Sequence, residues 1–202
     1  EVSRIAQALD VEVEAFRTRP LEASYRFIYL DAVYLKVSEG GRIRSLATLV
    51  ALGVNPEGRL EVLGVDVADS EMEAAWKAFL EGLVARGMKG VELAISDAHT
   101  GLKAALRKVL NGVTWQRCRV HFMRNAGAKL SKNLQVVWLE KLKCCFASLD
   151  QGEALARIRA LAKEAEAKHP DFAKFLDEAA GDVTAFMTFP HEQWRRIHST
   201  NV

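Results

Sequence analysis

Several residue types are scarce in this 202-residue sequence, and each scarcity excludes a class of protein. Its three cysteines are an odd set that includes the adjacent pair Cys144 and Cys145, so a disulfide framework is excluded and a reducing compartment is predicted. Four prolines and 13 glycines are too few for a collagen-like or disordered chain. Because no run of about 18 apolar residues occurs, no membrane-spanning helix is predicted.

What remains is the composition of a globular protein. Half of the residues are hydrophobic and 27% are charged, and the length suits one large domain or a domain with an appendage. Neither GxGxxG nor GxxxxGK[ST], the glycine-rich patterns that cradle phosphates, is present. The ordinary nucleotide-binding enzymes are therefore excluded.

The formal net charge of +2 hides an uneven distribution. Residues 1–97 carry a net charge of −5, whereas residues 98–149 have ten basic side chains against the single acid Glu140, a net of +9. Residues 150–182 are acidic again, with a net of −3. The basic middle is typical either of a solvated helix face or of a surface that contacts nucleic-acid phosphates, and charge alone does not decide between them.

The hydrophobic pattern predicts strands first and helices afterwards. Three strand-like runs, residues 25–37, 42–54 and 59–67, are separated by the turn sequences EGG and NPEG, which predicts an antiparallel meander. A helix over residues 70–87 follows, for which Ser70 is a plausible N-cap and Glu73 completes a capping box.

The second half of the pattern contains two more strands and then only helices. A buried strand at residues 91–96, a helix at 98–110 and a strand at 113–120 give the order βββαβαβ. From residue 121 to about 197 the spacing is helical, with a break at residues 188–190. The predicted fold class is α/β, with a mixed sheet followed by helices.

Asp31 is the first candidate functional residue. It lies in the first strand, whose two faces are both largely apolar, which predicts a central strand. An unpaired carboxylate there costs several kcal/mol, so Asp31 needs either a cation or an ion-pair partner. The ordinary alternative is a salt bridge to a neighbouring arginine or lysine.

Asp97 is the second candidate, because it ends the fourth strand where a helix begins. Its ordinary alternative is a helix N-cap, since aspartate is among the best capping residues. If the first and fourth strands are neighbours, Asp31 and Asp97 converge at one edge of the sheet. Paired carboxylates are ligands that Mg²⁺ prefers, and two such ions about 4 Å apart catalyse phosphodiester chemistry.

Cys118 and His121 form a CxxH motif inside the basic segment. A zinc site needs about four ligands, and no second pair follows at a suitable spacing. A Cys-His catalytic dyad lacks an evident third group to orient it. The simplest interpretation is that Cys118 packs as a small apolar residue and that His121 hydrogen-bonds locally.

Taken together, these motifs resemble one known family, the mutator-type transposases of bacterial insertion sequences. The resemblance covers nearly the whole chain, in order, through LDAVYLKVSEGGRIRS, ALGVNPEGRLEVLGVDVADSE, GLVARGMKGVELAISDAHTGLKAAL, WQRCRVHFMRN and FPHEQWRRIHSTN. It implies a ribonuclease H-like catalytic core with an Asp-Asp-Glu triad that binds two Mg²⁺ or Mn²⁺ ions. An all-helical insertion before the third acid is also implied, in agreement with the order read from the pattern.

The resemblance assigns roles to individual residues. Asp31 matches the first catalytic and metal-binding aspartate, and Asp97 matches the second. Cys118 and His121 match the family's CxxH signature, which we interpret as shaping the site. The third acid follows the Ser199–Asn201 sequence in the family pattern STNxxER, and this sequence stops at Val202, so we predict a core fragment that is inactive for lack of that acid.

The resemblance also divides the chain. Residues 1–20 resemble the tail of a DNA-binding region, 21–122 the catalytic core, 123–198 the helical insertion, and 199–202 the start of the element that leads to the third acid. The basic stretch of residues 103–132 is predicted to track DNA phosphates near the active edge. Its candidate DNA-binding residues are Lys103, Arg107, Lys108, Arg117, Arg119, Arg124, Lys129 and Lys132.

The implied function is DNA strand cleavage and strand transfer at insertion-sequence ends, with transposon ends and target DNA as partners. A homodimer or larger assembly and a bacterial cytoplasmic, nucleoid-associated location are implied as well, without contact with a membrane. Two alternatives stay open. One is a ribonuclease or Holliday-junction nuclease on the same fold, and the other is a DNA-binding or assembly module that has lost its chemistry.

Overall fold

The protein is described by a computed structural model that covers residues 2–201, with the backbone alone for residues 2–6, 8 and 39. The strands are β1 (Phe27–Glu39), β2 (Arg42–Val54), β3 (Leu60–Ala68), β4 (Leu93–Ser96) and β5 (Thr114–Arg117). The helices are α1 (Val2–Thr18), α2 (Glu73–Ala85), α3 (Thr100–Val109), α4 (Arg119–Gly127), α5 (Lys132–Cys145), α6 (Gln151–Ala165), α7 (Pro170–Thr184) and α8 (Trp194–Ile197). Two 3₁₀ turns, Ala185–Thr188 and His191–Gln193, connect α7 to α8.

The predicted mixed α/β fold class is confirmed. After α1, the elements follow the order βββαβαβ and then continue as helices, which is the order expected of a ribonuclease H-like core followed by a helical segment. The strands comprise antiparallel pairs and one parallel pair. No helix among residues 2–201 combines the length and the apolar character needed to cross a lipid bilayer.

The chain divides into two compact units. The first contains the residues up to Glu92 together with His99–Val113, and the second contains Leu93–Ala98 together with the residues from Thr114 onward. In the first unit the strands lie in the order β3-β2-β1 and are antiparallel. In the second unit β4 and β5 are parallel, with Leu93 opposite Thr114 and Ser96 opposite Arg117.

The predicted antiparallel meander of the first unit is confirmed, and so is the turn between β1 and β2. Glu39 pairs with Arg42, which leaves Gly40 and Gly41 as the two turn residues. Their φ angles are +56° and +76°. A two-residue type I′ hairpin turn requires positive φ at both positions, which glycine adopts without steric cost.

One face of this meander forms the core of the first unit. The strands bury aliphatic and small residues, and α2 buries its apolar stripe around Trp76, which is fully buried and meets Phe79 edge to face at 6.1 Å. The predicted capping box at the start of α2 is wrong. The helix begins at Glu73 and Met72 occupies the N-cap position without a side-chain hydrogen bond, so Ser70 lies outside it.

The far half of β1 differs from the prediction that this strand is central throughout. Val33, Leu35 and Val37 are 52%, 50% and 41% exposed, whereas Ile28 and Leu30 are fully buried. The register explains the difference. The pairing with β3 starts at Ala47, so the part of β2 before Ala47 pairs with β1 as a two-stranded arm.

The second unit packs its helices around one apolar cluster. Phe122 of α4 is fully buried and stacks on Phe175 of α7 with a centroid distance of 5.3 Å. Asp150 caps α6, because its Oδ1 atom accepts a hydrogen bond from the Glu153 N–H at 2.9 Å and Glu153 reaches back to the Leu149 N–H. The other members of this cluster include Leu142, Ile158, Phe172 and Leu176.

Candidate active site

Asp31 lies in the middle of β1, opposite Val50 of β2. Its side chain is partly exposed, and its Oδ1 atom accepts a hydrogen bond from the Ala32 N–H at 3.0 Å. The premise that burial forces a counter-ion on this carboxylate is therefore wrong. The salt-bridge alternative also fails within residues 2–201, where this carboxylate has no ion pair.

Asp97 follows β4 directly and belongs to the second unit. The N-cap alternative is wrong, because α3 begins at Thr100 and His99 occupies the N-cap position. Instead, the Asp97 Oδ1 atom accepts a hydrogen bond from the Ala98 N–H at 2.6 Å. The carboxylate is thus held by its own backbone rather than by a helix terminus.

A buried serine fixes the backbone at Asp97. Ser96 is fully buried, and its hydroxyl donates to the Asp97 carbonyl at 2.9 Å while accepting from Trp115 Nε1 at 2.8 Å. On the other side, the Cys118 N–H donates to the Ser96 carbonyl at 2.6 Å. Asp97 therefore leaves a strand end that is fixed by both side-chain and backbone hydrogen bonds.

Arg117 places a positive charge beside this strand end. Its guanidinium lies 4.7 Å from the ring centroid of Phe175 and 5.4 Å from that of Phe122. Burial lowers the pKa of Arg117, and the charges of Asp97 and Asp182 act in the opposite direction. Its Nε atom is buried and has no hydrogen-bond partner within residues 2–201. Arg117 is thus an enclosed charge rather than a fully exposed phosphate contact.

Arg119 is also enclosed, on the first turn of α4. Its guanidinium lies 5.3 Å from the ring centroid of Phe146, and burial lowers its pKa. Its backbone N–H donates to the His198 carbonyl at 2.9 Å. Arg119 therefore contributes a backbone contact to the end of the chain in addition to its charge.

The CxxH motif lies at the junction between β5 and α4. Cys118 is fully buried at the N-cap position of α4, and its Sγ atom accepts from the N–H and the hydroxyl of Thr200, at 3.4 and 3.5 Å. His121 follows one turn later, and its buried Nδ1 atom has no hydrogen-bond partner among the residues that the structure describes. The contact between Cys118 and Thr200 spans 82 positions, and no local signal in the sequence predicts it.

Gln116 of β5 makes long-range hydrogen bonds that the sequence pattern does not predict. Gln116 is fully buried, its Nε2 atom donates to the Val183 carbonyl at 3.0 Å, and its Oε1 atom accepts from the Phe186 N–H at 2.7 Å. It ties the end of α7 and the following turn to the strand. The feature of the sequence that could have indicated these hydrogen bonds is a single glutamine within a short strand.

The remaining basic residues of the predicted DNA-binding set are distributed over both units. Lys103 is partly buried on α3, and Lys108 of the same helix forms an ion pair with Glu73. The other four basic side chains are exposed, with Arg107 in the first unit and Arg124, Lys129 and Lys132 in the second. Among residues 2–201, no group of three or more His, Cys, Asp or Glu side chains is arranged to hold a metal ion.

The element order defines a mixed α/β protein in which strands come first and helices follow. The whole sequence, residues 1–202, matches the family model described as "Transposase, Mutator family", and the chain belongs to this family. The predicted resemblance is thereby confirmed.

Similar proteins include transposases of three insertion sequences. The chain is 43% identical to the transposase for insertion sequence element IS1081 of Mycobacterium tuberculosis, over all of this chain and 49% of that protein. It is 40% identical to the IS406 transposase of Burkholderia multivorans, of which it covers 52%. It is 33% identical to the IS256 transposase of transposon Tn4001 of Staphylococcus aureus, again covering 52%. The chain thus spans about half the length of these curated relatives.

Among solved structures, the HTLV-2 integrase catalytic core domain in complex with magnesium aligns with 89% of this chain and 99% of that chain. The TM-score is 0.33 and the sequence identity is 10%.

Proposed function

We propose that this chain is the catalytic core of a DNA transposase that cleaves and joins DNA strands by metal-dependent phosphoryl transfer. The observation that carries the proposal is the match to the Mutator family over all 202 residues. By the resemblance of their surrounding motifs to those of the family, Asp31 and Asp97 would be the first two acids. The substrates would be the ends of an insertion sequence and a target DNA. The working form would be a dimer or a larger assembly.

In this proposal Asp31 and Asp97 bind Mg²⁺ or Mn²⁺. Both carboxylates fit that role, because among the described residues each accepts one hydrogen bond, through Oδ1 from the N–H of the next residue. The other oxygen is then available to a hard cation, which prefers carboxylate ligands. When bound, a pair of such ions activates a water or a 3′-hydroxyl and stabilises the leaving oxygen.

Asp66 provides a contrast within the same structure. It makes the same local hydrogen bond, in which its Oδ1 atom accepts from the Val67 N–H at 2.9 Å. However, the same oxygen also forms an ion pair with Arg17 at 2.8 Å. Asp66 therefore has a cationic partner, and we assign it no role in metal binding.

A third acid completes the proposed site. Two carboxylates are few ligands for two ions, and the family pattern places a glutamate three positions after the Ser199–Asn201 sequence. Ser199 is 4% exposed, and the Asn201 N–H donates to its hydroxyl at 3.3 Å. These contacts support a role for the Ser199–Asn201 sequence in positioning the third acid.

The basic residues would have two different roles. We propose that Arg107, Arg124, Lys129 and Lys132, which are exposed, contact DNA phosphates without regard to sequence. Arg117 and Arg119, which are packed against aromatic rings, would instead raise the local positive potential near Asp97 and the end of β5.

Replacing either acid tests the assignment. In the transposase that carries this sequence, Asp31→Asn and Asp97→Asn are expected to reduce strand cleavage at transposon ends by about 100-fold or more, because several kcal/mol of transition-state stabilisation depends on the ions. DNA binding, measured by a gel-shift assay, should not decrease. Asp66→Asn is the matched control and should keep its cleavage activity.

The same assay separates the alternatives. Full activity of either variant would overturn the assignment of the acids. Cleavage of RNA–DNA hybrids or branched DNA in preference to transposon ends would indicate a nuclease. Absence of cleavage by the unmodified protein that includes the third acid, with DNA binding intact, would indicate an assembly module.

A further inference from the structure

Residues 198–201 are fixed to the junction of β5 and α4 by three hydrogen bonds. The Arg119 N–H donates to the His198 carbonyl at 2.9 Å, and both the N–H and the hydroxyl of Thr200 donate to the Cys118 sulfur. Two of these three bonds end on a single side chain, the thiol of Cys118. Sulfur is a weak acceptor, but this one is fully buried, where water does not compete.

Cys118 also connects this segment to Asp97. Its backbone N–H donates to the carbonyl of Ser96, the residue that precedes Asp97, at 2.6 Å. One residue therefore links the strand end that carries the second acid to the segment that contains Thr200. All of these residues belong to the second unit.

The segment that leads from the end of α7 to Thr200 is also held at its beginning, by a residue of β5. Gln116, two positions before Cys118, binds the backbone of Val183 and Phe186. Gln116 in β5 therefore holds the chain where α7 ends, and Cys118, directly after β5, holds it again at Thr200. The intervening residues 187–197 are fastened at both ends.

We propose that Cys118 is a positioning residue, whose thiol holds the Ser199–Asn201 element against the end of β5 next to Asp97. This inference rests on the proposed function, in which the residues after Asn201 supply the third acid. It gives the cysteine of the CxxH motif a specific task, which is to accept hydrogen bonds from Thr200 rather than to ligate a metal ion or act as a nucleophile.

Hydrogen exchange at the Thr200 amide tests the contact directly. In Cys118→Ala, exchange of this amide is expected to accelerate about tenfold, the effect of losing one hydrogen bond, while the amides of β5 and α4 keep their protection. Cys118→Ser should restore part of the protection, because a hydroxyl oxygen is also an acceptor. Cys145→Ala removes another buried thiol of the same unit and should leave the Thr200 amide unchanged.

Activity provides the second readout. Strand transfer should decrease in Cys118→Ala and recover partly in Cys118→Ser, with unchanged DNA binding. An unchanged exchange rate at Thr200, an equal acceleration in Cys145→Ala, or full strand transfer in Cys118→Ala would each overturn the proposal. Should Cys118→Ala fail to fold, Thr200→Val replaces it: loss of the hydroxyl contact should accelerate exchange at residue 200 about threefold, and an unchanged rate overturns the proposal.

Failure of the proposed function gives a different pattern. If Asp31→Asn and Asp97→Asn keep their activity, the metal assignment falls, but the exchange rates at Thr200 still report whether Cys118 holds the segment.

Discussion

Gln116→Met is expected to cause a large loss of stability that does not come from a cavity. Methionine has nearly the volume of glutamine and three rotatable bonds, so it fills the same space in the buried strand. What it removes is the amide that pairs with the Val183 carbonyl and the Phe186 N–H, at residues that are 0% and 2% exposed. Both backbone groups then stay buried and lose the hydrogen bond to the side chain of residue 116.

The size of the effect follows from these two groups. Each buried polar group that loses its partner costs about 1–3 kcal/mol, so for the two groups the free energy of unfolding should fall by about 2–6 kcal/mol. Because a domain is typically stable by only about 5–15 kcal/mol, this loss is easily measured. Urea unfolding followed by circular dichroism gives the change, and an unchanged m-value shows that the amount of surface exposed on unfolding is the same.

Gln135 offers a matched control. Its Nε2 atom also donates to two backbone carbonyls, those of Gly127 and Leu130 at 3.0 and 3.2 Å, but the side chain is only partly buried. Gln135→Met should therefore cost about 0.5–1.5 kcal/mol, because water satisfies the released carbonyls. Equal losses in Gln116→Met and Gln135→Met would refute the reasoning that buried backbone groups dominate.

Further variants address the first unit and the pH dependence. Gly101→Ala should destabilise the protein by about 1–3 kcal/mol, since a Cβ there would lie 2.7 Å from the Glu71 carbonyl oxygen; Gly82→Ala, with nothing within 4 Å, should stabilise it by about 0.5–1 kcal/mol. Burial, and secondly the charge of Arg119, lower the pKa of His198 from its ordinary 6.5. The free energy of unfolding should therefore decrease as the pH falls below about 6.5. His198→Gln should flatten this part of the plot of stability against pH.

The sign of the pH effect is fixed by which state binds the proton first. With a lowered pKa in the folded protein, the unfolded chain protonates first on acidification, so the stability is complete above the ordinary pKa and decreases below it. Measurements of the unfolding free energy from pH 7.5 to 5 test this. Identical plots of stability against pH for the wild-type protein and His198→Gln would contradict the prediction for His198. Equal melting temperatures for Gly101→Ala and Gly82→Ala would contradict the prediction for the two glycines.

Much of the fold could be predicted because its determinants are local. The strand-like runs and the Gly40-Gly41 turn were sufficient to predict the antiparallel meander. The N-cap assignments failed for Ser70 and Asp97 because several polar residues precede each helix. Where the backbone turns into the helix depends on packing, and α2 and α3 begin at Glu73 and Thr100.

The candidate site could be predicted only in part. Asp31 and Asp97 are conspicuous because of their place in the strand pattern and the resemblance to a family, although the argument from burial was wrong for Asp31. The contacts of Cys118 with Thr200 and of Gln116 with Phe186 join residues 82 and 70 positions apart. Such pairings are created by the return of the chain to β5, and nothing in the local sequence encodes them.

The three free thiols differ in burial, and this difference allows the opening of residues 198–201 to be followed by chemical modification. Cys144 is exposed, whereas Cys118 and Cys145 are buried, and burial raises the pKa of Cys145. Because the thiolate is the reactive form and Cys144 is exposed, Cys144 reacts first with an alkylating reagent, and Cys145 reacts slowly as long as it stays buried. Once Cys144 is blocked, the modification rate of Cys118 measures how often residues 198–201 move away from the end of β5. No added probe is needed to follow this opening.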